Sequence, residues 1–169
     1  GLDAVLINPT FLIGPYDSKP SSGQMILSVC KGKVPGYTLG GKNFIAVKDV
    51  AVTVVNALTQ GRKGECYIAC NENLTYQEAF DKIAKTVGRK KIKRKLSTFS
   101  VRAFGKASSI SAKIFRYTPQ LTHELAILAS EEHYYSGDKA KKELDMPQTP
   151  IEIAIKDCYQ WFEKNGYLN

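Results

Sequence analysis

The stretch Gly1-Leu2-Asp3-Ala4-Val5-Leu6-Ile7-Asn8-Pro9-Thr10-Phe11-Leu12-Ile13-Gly14-Pro15 decides how this chain folds. A strand buried on both faces is continuously hydrophobic, so an apolar, β-branched run with no polar leader reads as an inner strand of a larger sheet. Sequence upstream of it is therefore expected in the parent protein. Outward from this run, helix and strand patterns alternate, which is the signature of an α/β sheet.

The loop Ser18 to Gly23, with Pro20 and two serines, opens a helix that runs to about Lys31. Tyr37 to Leu39 and Phe44 to Val47 are expected as short strands of a hairpin turning at Gly40-Gly41. Asp49 is placed to cap a helix to about Thr59 by accepting free N–H groups of its first turn. Cys66 to Ala69 is a second buried strand. Thr75, with Glu78 three residues on, forms a capping box for the next helix, which stops at Gly88. Phe99, Val101, Phe104, Ala107, Ile110, Ile114 and Phe115 recur at near-helical intervals and predict one long helix over 96–117 with its apolar stripe packed inward. A second helix over 121–129 follows Pro119. Tyr134-Tyr135 is a short strand, Gly137 to Leu144 a short helix, and Ile151 to Asn165 a closing helix with Ile155, Cys158, Trp161 and Phe162 inward.

With 169 residues and 43% hydrophobic content, the chain can bury one substantial core. No apolar run reaches the roughly 18 residues that span a bilayer, and no signal-peptide pattern precedes one, so a cytoplasmic location is expected. Cys30, Cys66, Cys70 and Cys158 lack metal-ligand spacing and are expected as buried, reduced thiols; Cys66 and Cys70 would share a strand face. The net charge of +8 and the run Arg89-Lys90-Lys91-Ile92-Lys93-Arg94-Lys95 raise the question of nucleic acid. No stacking aromatics alternate with the run, so it reads as a solvated face and no nucleic-acid partner is expected.

The opening run resembles the segment after the catalytic helix of extended short-chain dehydrogenase/reductases, a "Gly-Leu-(Asp)…Asn-Pro…Gly-Pro" pattern met here from Gly1 to Pro15. Two later stretches fit the same family in order. One is Phe44-Ile45-Ala46-Val47-Lys48-Asp49-Val50-Ala51, continuing through Gly61, Gly64 and Tyr67 to Leu74-Thr75. The other is Asp138-Lys139-Ala140 with Glu143-Leu144, Pro150 and the helix around Trp161. The resemblance covers essentially the whole chain, and Asn8-Pro9-Thr10, Ile13-Gly14-Pro15 and Pro119-Gln120-Leu121-Thr122 are similar to the dihydroflavonol-reductase and hydroxysteroid-dehydrogenase group. It implies an α/β fold: the C-terminal part of a Rossmann-type doubly wound protein, with two sheet strands plus a mostly helical substrate-binding lobe over 1–169. The N-terminal dinucleotide-binding portion is expected to be absent.

Three motifs look like sites and are set aside. Tyr135-Ser136-Gly137-Asp138-Lys139 spells the family's Tyr-x-x-x-Lys, but Gly137 and Asp138 put a strand-to-helix junction between the two side chains. Gly36-x-x-x-x-Gly41-Lys42 nearly spells a phosphate loop, but Asn43 stands where a Ser or Thr would hold Mg²⁺, and the segment reads as a hairpin. His123 and His133 have no third ligand in pattern, so no metal is expected. No Gly-rich dinucleotide loop follows any strand, so no catalytic residue is assigned in this chain.

The resemblance implies that Pro9, Thr10, Phe11 and Leu12 line the nicotinamide of NAD or NADP. It further implies that Ser21 or Ser22, just before the helix near Gly23, holds a cofactor phosphate through its hydroxyl and the helix N-terminal N–H groups, with Ser22 taken as the site residue, and that Tyr16, Gln24 and Met25 face the substrate. Lys42-Asn43-Phe44 occupies the place of the "Arg-Asp-Phe" of nucleotide-sugar epimerases, which makes such a substrate a weaker match, although Lys42 could substitute as a point charge. The expectation is the substrate lobe of an NAD(P)-dependent oxidoreductase acting on a carbonyl or hydroxyl of a small molecule, inactive on its own. The alternatives are a non-catalytic dinucleotide-sensing or protein-interaction module of the same fold, and a nucleotide-sugar epimerase or dehydratase. Two strands cut from a sheet leave open edges, so a homo-oligomer is expected.

Overall fold

Twice the chain leaves one small sheet for another within a few residues. The computed structural model describes residues 1–101, 103, 106 and 127–168. In it β1 (Leu6–Pro9) runs parallel to β4 (Cys66–Ala69), with Leu6 opposite Cys66 and Pro9 opposite Ala69. One residue on, β2 (Phe11–Ile13) enters a second sheet parallel to β3 (Gly41–Ala46). After β4 the chain does the same, and β5 (Glu72–Thr75) lies antiparallel to β3. The short β6 (Glu132–His133) pairs in parallel with the start of β3.

Among the described residues, helices α1 (Gln24–Cys30), α2 (Val47–Gln60), α3 (Tyr76–Thr86), α4 (Asp138–Leu144) and α5 (Ile151–Lys164) cover these sheets. One core joins α1, α3 and α5 to the second sheet through Ile13, Ile26, Phe44, Ile83, Ile155 and Phe162. The other places Ile45, Ala57, Tyr67, Ala69, Ala140 and Leu144 between the first sheet, α2 and α4. The periodic apolar faces of α3 and α5 therefore point where their sequences require.

Polar lacing fixes the helix ends. Thr75 Oγ1 accepts from the Glu78 N–H at 3.2 Å while Glu78 accepts from the Thr75 N–H at 2.8 Å, the reciprocal capping box expected at α3. The left-handed Gly88, with φ of +67°, then terminates that helix. Glu72 accepts from the Ile151 N–H at 2.8 Å and satisfies a free donor at the start of α5. On the other side, Arg62 makes two parallel bonds to Glu143 at 2.9 and 2.8 Å and holds its carboxyl below the usual range, while the Tyr67 hydroxyl donates to the same carboxylate at 2.8 Å.

Several sequence expectations need correction. Gly40-Gly41 is no hairpin turn: Gly41 begins β3, and Tyr37 forms only an isolated bridge with Lys95. Glycine is required there by close approach, because a Cβ at Gly40 would come within 2.5 Å of the Glu131 carbonyl oxygen. Asp49 does not cap α2, whose N-cap is Ala46; its buried carboxylate instead accepts from the Thr149 N–H and hydroxyl, both at 2.7 Å. The strand expected at Tyr134-Tyr135 lies two residues earlier, where Gly41 and Lys42 offer a free edge.

The strands expected to be buried on both faces are covered on one. Leu6 is 48% exposed and Ile68 37%, and α2 turns Val52, Val55 and Leu58 outward while Asp49 and Thr53 face in. The long helix expected over 96–117 shows helical residues at 98–101 and otherwise falls largely outside the described residues, as does most of the helix over 121–129. Cys70 lies beyond the end of β4, so it does not share a strand face with Cys66. Trp161 is half-buried rather than inward like Phe162.

All four cysteines are free: Cys30, Cys70 and Cys158 are buried and Cys66 is exposed. Burial raises the Cys30 and Cys70 thiols and pushes Cys158 up to about 12, which disfavours the reactive thiolate. In the native protein at mildly alkaline pH, a disulfide reagent such as DTNB is expected to titrate Cys66 quickly and the other three only after unfolding. Rapid reaction of a Cys66→Ser variant would contradict this packing.

Candidate functional site

The gap between β2 and β6 defines the site. Both β5 and β6 pair with Gly41 and Lys42, so they occupy opposite edges of β3. Both β5 and β2 pair with Phe44, so β2 shares the other edge with β6. Along that edge Lys42 meets His133, Phe44 meets Phe11, and Asn43 is left without a strand neighbour.

Asn43 is almost fully buried, and its amide carries the junction. Its Oδ1 accepts from the Thr10 hydroxyl at 2.7 Å and from the Asn71 N–H at 3.0 Å. Its Nδ2 donates to Asn73 Oδ1 at 2.7 Å. Asn73 in turn exchanges two bonds with the Tyr135 backbone, each at 3.2 Å. Thr10 and Asn71 are the residues at which the two strand pairs change sheets, so one side chain ties both crossings to the segment after β6.

A cavity of about 280 Å³ opens at this gap, lined by Thr10, Phe11, Lys42, Asn43, Leu128, His133 and Tyr135. Phe11 stands edge-on to Phe44 with centroids 5.3 Å apart, and the Lys42 ammonium sits 4.8 Å over the Phe11 ring. Half-burial lowers the Lys42 pKa. Among the described residues His133 Nε2 is buried without a hydrogen-bond partner, with a Glu131 carboxylate oxygen 3.9 Å away. The cavity thus offers an aromatic wall, a partly desolvated cation and an unused ring nitrogen.

The structure brings Thr10 and Phe11 to this cavity and leaves the other expected site residues elsewhere. Pro9 lies in the β1 ladder opposite Ala69, and Leu12 turns toward the second core. Tyr16, 79% exposed and left-handed at φ of +72°, borders a separate groove of about 270 Å³ between Pro15 and Lys48. Gln24 reaches Ser28 and Met25 packs on the first core, neither lining the Thr10 cavity. Beside Ser22, the Asp17 carboxylate accepts from the Ser21 and Gly23 N–H groups at 3.0 and 2.9 Å, the donors expected to meet a phosphate.

Lys42, Asn43, His133 and Tyr135 were read in the sequence as parts of motifs set aside, and the signal that unites them is topological. Gly137 separates Tyr135 from Lys139 as expected; Lys139 instead pairs with Glu65 at 2.5 Å and covers the Tyr67 ring. Among the described residues, no cluster of His, Cys, Asp or Glu could hold a metal ion.

This architecture is that of the C-terminal half of a Rossmann-type α/β protein. Over 99% of its length the chain is 30% identical to a dihydroflavonol 4-reductase-like protein of Synechocystis, covering 50% of that protein. Among solved structures, gox2253 is 34% identical with a TM-score of 0.80, and a nucleoside-diphosphate-sugar epimerase from Pseudomonas aeruginosa is 26% identical with a TM-score of 0.80. This chain covers 51% of each. A dTDP-glucose 4,6-dehydratase from Bacillus anthracis, solved with NAD, shares the fold at 20% identity and a TM-score of 0.65, with 46% of it covered. No family model matches the chain. The chain is similar to the C-terminal half of dihydroflavonol-reductase-like and NAD-dependent epimerase/dehydratase proteins, and it spans about half the length of the relatives it matches.

Asn43→Leu removes three bonds at once and orphans groups on both crossing strands, so it is expected to lower the unfolding free energy by about 2–4 kcal/mol. Thr10→Val deletes one bond and is expected to lower it by about 1 kcal/mol. Denaturant unfolding measures both, and equal losses would contradict the central role of the Asn43 amide.

Proposed function

We propose that this chain is the substrate-binding portion of an NAD(P)-dependent oxidoreductase whose dinucleotide-binding portion lies in sequence outside it. The observation that carries the proposal is the cavity at the β2/β6 gap, because it places Thr10 and Phe11 beside a half-buried cation and an unpartnered histidine nitrogen. The fit to a nicotinamide is one wall: Phe11 gives an aromatic face, and Pro9, Thr10 and Leu12 give the backbone that would run along the ring. Ser22 would contribute through its hydroxyl, since Asp17 already occupies the neighbouring N–H groups. The bound cofactor would supply hydride exchange with a carbonyl or hydroxyl carbon of a small molecule. The residues of this chain position and desolvate; the proton donor is assigned to the portion outside it, and the chain alone is inactive.

Tyr16, which borders the groove beyond β2, and Gln24 and Met25 on α1 remain proposed for substrate contact. Lys42 supports a second reading, a nucleotide-sugar substrate whose diphosphate it would meet as a point charge. The outward Val52, Val55 and Leu58 of α2, with Leu6 and Ile68, support burial of this face against further chain in the parent or against a second copy in the isolated chain. Light scattering on the isolated chain is expected to report a dimer or larger; a monodisperse monomer at high concentration would remove the homo-oligomer from the proposal.

The test of function is NADH and NADPH titration, followed by nicotinamide fluorescence, on the longest form of the protein found in its source. Binding is expected, with Phe11→Ala weakening it by about tenfold through loss of the aromatic wall. UDP-glucose competing for the same form would favour the nucleotide-sugar reading. A natural protein beginning at Gly1 that binds neither dinucleotide would replace the oxidoreductase with a non-catalytic interaction module.

A further inference from the structure

The positive charge of this chain is concentrated in one quarter of it. Residues 82–123 hold 12 of the 24 lysines and arginines and none of the 16 aspartates and glutamates. The described part of that stretch forms a single face with the loop after α1. Tyr37 N–H donates to the Arg94 carbonyl at 2.9 Å and Leu96 N–H to the Tyr37 carbonyl at 2.8 Å, lacing the two segments together. Lys31 and Lys33 thereby join the six cations of the Arg89 to Lys95 run, all of them exposed. Of these eight, only Lys91 makes an ion pair among the described residues, with Asp81 at 3.0 Å. Glu163 lines a separate groove with Arg89 and Tyr159 without an ion pair to Arg89 among the described residues.

Apolar surface is interleaved with these charges. A cleft of about 410 Å³ between the two segments is lined by Val29, Val34 and Ile92 beneath Arg89 and Lys90. Phe99, just past the run, is 81% exposed. A solvated face needs neither the absence of compensating acids nor an aromatic side chain standing in water. Cations that ring apolar groups suit a surface that is anionic at its rim and hydrocarbon below, whereas a nucleic-acid strand would call for several stacking aromatics rather than one.

We propose that the face formed by Lys31, Lys33 and the Arg89 to Lys95 run docks this protein peripherally on an anionic phospholipid surface, with Phe99 entering the headgroup layer. This goes beyond the oxidoreductase reading and stands without it. No helix of the described residues is long and apolar enough to cross a membrane, so attachment is from one side and reversible.

The test is sedimentation of the chain with phosphatidylcholine vesicles, neutral or containing about 30% phosphatidylserine. Binding to the anionic vesicles is expected to be tighter by about tenfold or more and to be released by roughly 0.5 M salt. Exchanging Arg89, Lys90, Lys93, Arg94 and Lys95 for Gln is expected to lower it about tenfold or more, and Phe99→Ser to lower it several-fold with the salt dependence retained. All six side chains are exposed, so the thermal melt should stay within a few degrees; should the fivefold variant fail to fold, Lys31→Gln with Lys33→Gln is the second probe. Equal binding to neutral vesicles, no binding, or indifference to these substitutions would overturn the proposal. So would displacement from anionic vesicles by a duplex or single-stranded oligonucleotide of equal charge, which would reassign the face to nucleic acid.

Discussion

The fold turns on one constraint: two adjacent strands must leave one sheet and enter another without abandoning their backbone hydrogen bonds. A buried amide or carbonyl that loses its ladder partner carries a penalty of about 1–3 kcal/mol, so a sheet crossing needs a substitute partner at the point of exchange. Asn43 supplies it. With Thr10 and Asn71 donating to one end of its amide and Asn73 accepting from the other, both crossings are held by a side chain that has donors and acceptors in the required order. Leucine has the volume and an aspartate the acceptors, but neither could also donate to Asn73.

The same residue explains why a cavity forms where it does. An edge of β3 paired at Lys42 by β6 and at Phe44 by β2 is interrupted at Asn43, and the side chains around an interruption cannot close over it as a continuous ladder would. The backbone solution to the crossing and the opening beside Thr10 and Phe11 are one feature. Lys42 is then half-buried by position, its charge stabilised by the Phe11 face while its pKa falls because desolvation outweighs that contact. A cation held in this state is available to an anionic or carbonyl group that completes its solvation.

Local signals were legible in the sequence and long-range ones were not. The α3 capping box and its glycine stop, the boundaries of α4 and α5, and the strand at Cys66 follow from residues within one or two turns of one another. Gly40-Gly41 misled because a paired glycine can serve a turn or a close approach, and only the carbonyl of Glu131, far away in sequence, tells them apart. Asp49 misled for the same reason: its carboxylate reaches Thr149 rather than its own helix. Of the Pro9 to Leu12 run singled out in the sequence, Thr10 and Phe11 line the cavity while Pro9 and Leu12 do not. His133 and Tyr135 could not be found, since their place depends on β6 pairing with Gly41 and Lys42 across a long insertion.

Charge follows the same division between local and distant work. Outside residues 82–123 the chain carries 12 cations against 16 acids, and several of those acids are engaged: Asp49 with Thr149, Glu72 with Ile151, Glu78 with Thr75, Glu143 with Arg62, Glu65 with Lys139. The frame is therefore mildly acidic and uses its carboxylates to close helix ends and fasten α4 to β4. The cations of the Arg89 to Lys95 run have almost no such employment, and mutual repulsion among them opposes the folded state rather than supporting it. The anionic lipid surface proposed as partner would offset that cost, and the apolar groups set among those cations fit a partner with hydrocarbon behind its anions.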